Sequence, residues 1–206
     1  MPSLTEVNHP PFEPSTWQRL LADAAGGPLP EWDHLARQIE LKVLSAGATL
    51  FAQNTVHPYL YAVRQGLVKL CYIDENGNEW IKSFASEGRF FASIAALQAE
   101  GRTSFLCATI EPTQLERLPY RCLNELASRH LAWARAVQQM TMLFASRKEA
   151  RERDLLTLTP EGRYRAFLAE YPALEKRIAQ KDMARYLGLT PVGLNRIVTR
   201  VRRAAV

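Results

Sequence analysis

Cysteine is scarce in this 206-residue chain, which carries only Cys71, Cys107 and Cys122. An odd number of widely separated cysteines excludes a disulfide framework and a zinc cluster of thiolates, and it is typical of proteins from a reducing cytoplasm. The four histidines show no ligand spacing either. The sequence therefore predicts neither a metal site nor another cofactor, and we interpret the cysteines as core residues.

Long apolar runs are also missing, and no stretch of the sequence is apolar enough to cross a membrane. The N-terminal segment is polar and proline-rich, and it lacks the basic-then-apolar order of a signal peptide. These absences predict a cytoplasmic protein with no membrane partner. A phosphate-binding glycine loop, a His-Glu-x-x-His zinc motif and a nucleophile elbow are absent as well, which argues against an enzyme.

Positive charge, by contrast, is present and unevenly distributed. Residues 151–206 hold 12 Lys or Arg and 6 Asp or Glu, a net charge of +6, whereas the preceding residues carry a net charge of −1. A basic segment on a nearly neutral body indicates a polyanionic partner. Charge alone leaves a second interpretation open, because a solvated charged helix has the same composition.

Hydropathy patterning changes along the first 120 residues. Residues 1–40 read as a helical lead-in, and residues 41–120 contain short apolar stretches separated by glycines. Many short strands with such turns predict an antiparallel, cupin-like β-roll. Asn76-Gly77 stands between two of these stretches, and both residues tolerate the positive φ of a tight type I′ hairpin turn.

Residues 121–152 carry apolar side chains three or four positions apart, without proline or glycine, which predicts one long connecting helix. A helix of this length would overhang a small β domain, so we expect its apolar stripe to pack against a second copy of the chain. The alternative is that the stripe packs on its own β-roll. The residues assigned to the dimer contact are Leu126, Val137, Met140 and Phe144.

Residues 153–206 contain the pattern on which the functional prediction depends. Ala184 offers a small side chain where two helices cross, and Gly188 allows the left-handed conformation of a sharp turn. Thr190-Pro191 then provides a cap and a first residue for another helix, as Thr159-Pro160 does for the helix that precedes this pattern. This spacing predicts a helix-turn-helix, and a helical hairpin without DNA function is the alternative.

The second helix of this pattern has one apolar and one polar face. Leu194 and Ile197 form the buried side, so the other side is free to enter the major groove of B-DNA, where Asn pairs with adenine and Arg with guanine. The residues predicted to contact DNA are Lys181, Thr190, Pro191, Val192, Asn195, Arg196, Thr199 and Arg200. Phosphate contacts are expected from Lys181, Arg185, Arg200, Arg202 and Arg203.

The succession of a β-roll, a long helix and a C-terminal helix-turn-helix resembles the Crp/Fnr family of bacterial transcription regulators. The resemblance covers roughly residues 41–203 and rests on LSAGATLF (44–51), YAVRQGLVKL (61–70), DENGNE (74–79), Glu87-Gly88 before Phe90-Phe91, ARYLGLT (184–190) and NRI (195–197). It implies a homodimer joined through the long helix, with Val192, Asn195 and Arg196 as base-reading residues. It also implies a winged-helix-type domain, of which this sequence lacks most of the wing.

The resemblance also implies an effector pocket, which is degenerate here. Cyclic-nucleotide-binding members carry a Gly-Glu pair that holds the ribose and an Arg-Ser/Thr pair that holds the cyclic phosphate. This chain has Arg102-Thr103 for the second pair but Ala92-Ser93 for the first, so the ribose carboxylate is missing. We assign an effector pocket to Ser93, Arg102 and Thr103, with Arg102 as a surface or packing arginine as the alternative. Iron–sulfur members need an N-terminal cysteine group, whereas the earliest cysteine here is Cys71.

The sequence thus predicts an α+β protein with an N-terminal antiparallel β-roll, a long dimerisation helix and a C-terminal helix-turn-helix. The predicted function is that of a sequence-specific DNA-binding transcription regulator, acting as a homodimer on a palindromic site, with RNA polymerase as a further partner. The β-roll either senses an unknown effector or serves as a scaffold. Two alternatives are a cyclic-nucleotide-dependent regulator and a ligand- or protein-binding β-roll that has lost DNA binding.

Overall fold

A computed structural model describes residues 14–203, so the polar start of the helical lead-in, within residues 1–13, lies outside the described part. The strands are β1 (Glu40–Leu44), β2 (Thr49–Phe51), β3 (Tyr59–Gln65), β4 (Val68–Ile73), β5 (Glu79–Ala85), β6 (Phe90–Ala92), β7 (Leu106–Thr109) and β8 (Thr113–Pro119). The helices are α1 (Thr16–Ala25), α2 (Trp32–Ala36), α3 (Tyr120–Arg129), α4 (Leu131–Thr157), α5 (Pro160–Glu170), α6 (Gln180–Leu187) and α7 (Pro191–Arg203).

The strands form two four-stranded antiparallel sheets, in the orders β1-β8-β3-β6 and β2-β7-β4-β5. Between the sheets lies a core rich in aromatic side chains, including Phe51, Tyr61, Phe91 and Phe105, each at most 6% exposed. This arrangement confirms the predicted α+β class and its antiparallel β-roll.

Strand β3 shows why its sequence reads as a continuous apolar run. Tyr61 and Val63 belong to the core between the sheets, whereas Leu60 and Ala62 belong to a second core formed with α1 and α4. Because successive side chains of a strand point to opposite faces, and both faces of β3 are covered, no polar alternation is expected.

The hairpin predicted between β4 and β5 is confirmed, but its predicted turn type is wrong. A type I′ turn needs two residues with positive φ, and of the turn residues only Gly77 has one, at 78°. The carboxylate of Asp74 instead accepts the N–H groups of Asn76 and Asn78, and its carbonyl accepts that of Gly77. Hydrogen bonds to Asp74 therefore hold this turn, and the type I′ backbone conformation that the sequence predicted is not formed.

The predicted long helix is interrupted at His130, whose extended backbone (φ −130°, ψ 122°) separates α3 from α4. The imidazole of His130 makes a 2.6 Å hydrogen bond with Glu31, and the indole of Trp133 donates to the carbonyl of Pro30 at 2.8 Å. These contacts fix the start of α4 against the loop between α1 and α2, so a single helix over residues 121–152 is wrong.

No helix within residues 14–203 combines the length and hydropathy required to cross a bilayer.

Helix α1 begins on a buried carboxylate. Glu116 of β8 is 2% exposed and accepts the backbone N–H groups of Thr16 at 2.9 Å and Trp17 at 3.0 Å. Its own backbone carbonyl accepts the indole N–H of Trp17, and the guanidinium of Arg64 lies 3.8 Å from its carboxylate. A helix N-terminus favours negative charge, so Glu116 ties α1 to the β-roll.

The C-terminal helices begin and end at the predicted residues. The hydroxyl of Thr159 accepts the N–H of Gly162 at 3.1 Å at the start of α5, and that of Thr190 accepts the N–H of Gly193 at 3.0 Å at the start of α7. Gly188 ends α6 in the left-handed conformation, with φ at 65°. The predicted caps and turn of the helix-turn-helix are therefore confirmed.

Candidate nucleic-acid interface

Helix α7 is held by its apolar side and leaves its polar side in solvent. Leu194 and Ile197 are 0% and 5% exposed and share a core cluster with the fully buried Ala184 of α6. The residues predicted to contact DNA are all exposed: Lys181, Thr190, Pro191, Val192, Asn195, Arg196, Thr199 and Arg200. The structure thus brings them to the solvent-facing sides of α6 and α7.

The polar side chains of this surface differ in how many hydrogen bonds they already make within the protein. The hydroxyls of Thr190 and Thr199 stabilise the helix itself, since the second donates to the carbonyl of Asn195 at 3.0 Å. The side-chain oxygen of Asn195 accepts a 3.4 Å hydrogen bond from Gln180. Arg196 has no hydrogen-bond or ion-pair partner within residues 14–203. Its five donors are therefore the ones most available for a base edge.

Three other cations of this region have acidic neighbours. Arg200 lies 3.4 Å from Glu161 and Arg202 lies 3.0 Å from Glu175, and both arginines are about two-thirds exposed. Exposed ion pairs contribute little to stability, so a phosphate competes with these carboxylates at low cost. The guanidinium of Arg185 likewise lies 3.4 Å from Glu79 of β5, and its side chain is 39% exposed, so the phosphate contact predicted for it stays a prediction.

The helix-turn-helix is fixed to the β-roll by charged groups that the sequence did not single out. The ammonium of Lys69 on β4 lies 2.6 Å from Glu79 and 3.8 Å from the buried Asp182 of α6. Arg177, just before α6, makes two 3.0 Å hydrogen bonds to Glu87. Burial raises the pKa of Glu87, but the hydrogen bonds from Arg177 and from backbone N–H groups, together with the charge of Arg177, hold the pKa below its usual range. The sequence signal for these contacts was Lys69, a lysine within the apolar run of β4.

The residues predicted to form an effector pocket make their hydrogen bonds within the β-roll. Ser93 and Thr103 are 2% and 3% exposed, and their hydroxyls are engaged within the β-roll. Ser93 accepts the N–H of Ser104 at 3.0 Å, and Thr103 donates to a backbone carbonyl after β2 at 2.6 Å. Arg102 is exposed and donates to the carbonyl of Asn54 at 3.1 Å. The alternative role of Arg102, as a surface arginine, matches this placement.

These residues do not fit a cyclic nucleotide. No carboxylate stands at Ser93 to bind a ribose, and the guanidinium of Arg102 is hydrogen-bonded to the backbone instead of facing the interior. The space between the sheets is filled by aromatic side chains, among them Phe51, Phe91 and Phe105.

The residues predicted to form the dimer contact pack within their own chain. Leu126, which lies on α3, is 0% exposed, and Met140 is 6% exposed. Val137 is partly buried against the same core, and Phe144 lies 6.5 Å from the ring of Phe90. Burial within their own chain contradicts the assignment of Leu126 and Met140 to a dimer contact, whereas the assignment of Val137 and Phe144, which are partly exposed, stays a prediction. Periodicity located the buried stripe, but the stripe packs on its own β-roll.

A cavity of about 590 Å³ lies between β5, the second half of α4, α5 and α6. Sequence reasoning missed it because its walls come from elements that are far apart along the chain. Its one sequence signal is Lys82, a lysine inside the apolar run from Trp80 to Phe84.

Within residues 14–203, no group of three or more His, Cys, Asp or Glu side chains is arranged to hold a metal ion.

Comparison with known proteins gives matches along most of the chain. Residues 41–130 match the family described as cyclic nucleotide-binding domain. The chain is 27% identical over 190 residues to the nitrogen fixation regulation protein FixK of Bradyrhizobium diazoefficiens, with 85% of this chain and 76% of FixK covered. It is 26% identical over 191 residues to the fumarate and nitrate reduction regulatory protein of Escherichia coli K12, with 85% and 74% covered.

The fold is shared with a solved structure. FixK2 from Bradyrhizobium japonicum superposes with a TM-score of 0.71 and 18% identity, over 82% of this chain and 86% of that chain. Each match to a whole relative spans far more than the β-roll alone. The chain is thus similar in sequence, along 85% of its length, to two regulatory proteins, and it shares the fold of FixK2 from the β-roll to the C-terminal helices.

Proposed function

We propose that this chain is a cytoplasmic transcription regulator, not an enzyme, which binds a roughly palindromic duplex DNA site as a homodimer. The observation that carries the proposal is the solvent-facing side of α7, where Arg196 is exposed and has no partner within residues 14–203. A helix supported from behind by Leu194 and Ile197 is rigid enough to position such a side chain in the major groove. The similarity to the two regulatory proteins supports the same function.

The dimer contact is placed on the outer face of α4. Leu131, Met142 and Leu156 are 67%, 57% and 78% exposed. They stand 11 and 14 residues apart, close to whole turns of a helix with about 3.6 residues per turn, so they share one face. Trp133 and Met140 occupy the opposite, buried face. Three exposed apolar side chains along one face of a 27-residue helix, with charged and polar side chains between them, match a second copy of the helix across a two-fold axis.

In this dimer each recognition helix enters one half-site, and the two half-sites lie about one helical turn of DNA apart. Arg196 pairs with a guanine, Asn195 with an adenine, and Val192, which is 64% exposed, contacts a thymine methyl. Lys181 and Arg200 contact phosphates and fix the register. RNA polymerase is the expected further partner of the DNA-bound dimer.

The two alternative functions, a cyclic-nucleotide-dependent regulator and a β-roll that has lost DNA binding, have less support. A cyclic-nucleotide-dependent regulator needs a pocket that the positions of Ser93 and Arg102 do not provide. A β-roll that has lost DNA binding does not require an exposed side of α7 with Asn195 and Arg196. The proposed DNA function accounts for both observations.

Selection of random duplex DNA by the purified protein, without added ligand and at near-physiological salt, tests the proposal. We expect enrichment of an inverted repeat whose half-sites are about 10 base pairs apart, centre to centre. Sequencing of the selected pool gives the half-site directly. Recovery of no preferred sequence, both without ligand and with cyclic nucleotides added, contradicts the proposal.

Replacing Arg196 by Ala is expected to weaken binding to the selected site by about 1–3 kcal/mol and to relax preference at one base pair of each half-site. The reason is loss of a bidentate contact to guanine from a side chain that has no structural partner within residues 14–203. Fluorescence anisotropy against a panel of single-base variants measures both effects. Arg200→Ala serves as the comparison, since loss of a phosphate contact lowers affinity for all sequences alike. Unchanged base preference in Arg196→Ala refutes the assignment.

A further inference from the structure

The cavity of about 590 Å³ is bounded by three parts of the molecule at once. The outer side of β5 forms one wall, residues 144–156 of α4 form another, and α5 and α6 close it from the helix-turn-helix. Neither Ser93 nor Arg102 lines it. A cavity of this size holds a small organic molecule.

Aromatic rings form much of the cavity wall. Each part of the molecule contributes some of them: Tyr72, Trp80, Phe144, Tyr171 and Tyr186. Trp80 is 55% exposed and Tyr72 is 43% exposed, which is unusual for such large side chains unless they serve a contact. Rings presented at the surface of a cavity favour a flat aromatic ligand.

The same wall is strongly basic, with seven cationic side chains against three carboxylates. The ammonium of Lys82 lies 4.8 Å from the ring centre of Phe105 and 5.7 Å from that of Phe144, and the ammonium of Lys148 lies 4.6 Å from the Phe144 ring. Neither lysine has a carboxylate within ion-pair distance among the described residues. Arg151 stacks on Tyr186, 3.7 Å from its ring centre.

Cations that are crowded together without a counter-ion destabilise one another. Burial, together with the charges of Lys148 and Arg151, lowers the pKa of Lys82 to about 8. Burial also lowers the pKa of Arg147, and the nearby charge of Arg89 adds to this effect. An anion bound among these side chains relieves the repulsion and replaces the lost hydration.

The geometry points to this cavity as the binding site of a small aromatic anion, whose ring packs on the aromatic wall and whose acidic group is bound by Lys82 and Lys148. Carboxylate and phosphate satisfy this chemistry equally. Because β5, α4 and α6 all line the cavity, the ligand holds the helix-turn-helix in one orientation relative to the β-roll. This regulatory consequence rests on the proposed DNA function, whereas binding itself does not.

The site is compatible with the dimer. The cavity residues Phe144, Lys148 and Arg151 lie on one side of α4, and Met142 lies on the other, as the helical spacing of 3.6 residues per turn requires. A ligand and a second subunit therefore contact different faces of α4 along most of the helix, and the two faces meet at Leu156.

Isothermal titration calorimetry of the full chain, without DNA, tests the site. The probes are 2-naphthoate and adenosine monophosphate, with 2-naphthylmethanol and adenosine as their neutral counterparts. We expect one of the two anions to bind and its neutral counterpart to bind at least about tenfold more weakly. Which anion binds distinguishes a carboxylate ligand from a nucleoside phosphate.

Variants locate the bound anion. Lys148→Met and Lys82→Met are each expected to weaken binding by about tenfold or more. Arg121→Met removes one exposed charge from α3, and Arg102→Met removes the arginine of the β-roll, so both should leave affinity unchanged. Binding of neither anion below about 1 mM overturns the proposal, as does an affinity lowered by Arg102→Met but not by Lys148→Met. Failure here leaves the DNA selection result untouched, so the two proposals fail separately.

Discussion

A Met142→Glu variant is expected to be monomeric and to lose tight binding to the palindromic site. Met142 is 57% exposed and lies midway along the outer apolar face of α4, so in the two-fold dimer it meets its own copy. Two glutamates at that position repel each other and lose their hydration. Separate subunits bind half-sites independently, which lowers overall affinity by about 100-fold or more through loss of effective concentration.

Sedimentation equilibrium measures the oligomeric state of this variant, and fluorescence anisotropy measures its DNA affinity. Asn124→Glu is the matched control, because it adds the same charge at an exposed position of α3 away from the α4 face. We expect the control to remain dimeric and to bind DNA normally. A Met142→Glu variant that sediments as a dimer places the subunit contact elsewhere.

A Glu116→Ala variant is expected to lose about 3–5 kcal/mol of stability, as when one partner of a buried charged group is removed. The carboxylate is 2% exposed and accepts the N–H groups of both Thr16 and Trp17. Its removal leaves two buried donors at the start of α1 without an acceptor and leaves Arg64 without the negative charge 3.8 Å away. Helix α1 should then detach from the β-roll before the remaining fold is lost.

Urea unfolding followed by circular dichroism and by tryptophan fluorescence measures this effect, since Trp17 lies at the affected helix. Glu116→Gln keeps one acceptor oxygen without the charge, so its loss of stability should be intermediate. Glu125→Ala is the control, because that side chain is 61% exposed on α3. A loss in Glu116→Ala no larger than in the control means that water or other groups satisfy the helix N-terminus.

Predictions from the sequence were most accurate where the cause of a structure is local. The caps at Thr159 and Thr190 involve hydrogen bonds between residues three apart, and the turn at Gly188 depends on one residue's backbone. The exposed side of α7 follows from the same reasoning, because Leu194 and Ile197 mark its buried side. The sequence therefore predicted which side of α7 is exposed.

Predictions were least accurate where a side chain's role depends on which distant element covers it. Arg185 and Arg200 both lie in the basic C-terminal segment, and each lies 3.4 Å from a carboxylate, but the side chain of Arg185 is 39% exposed beside β5 and that of Arg200 is 67% exposed. Likewise, the stripe through Met140 is apolar whether a partner or the chain's own β-roll covers it. The composition and periodicity of the stripe are the same whichever surface covers it, so neither property distinguishes a dimer contact from packing within the chain.

By itself, the sequence determined the order of β-roll, helix and helix-turn-helix, together with the caps, the glycine turn and the polar face of α7, because these depend on neighbours within a few residues. Only the tertiary structure decided the break at His130, the burial of Glu116 beneath α1, the outer face of α4 and the basic aromatic cavity. Each of these brings together groups from elements distant in the chain. Their contacts depend on how the elements pack in three dimensions, which local propensity does not specify.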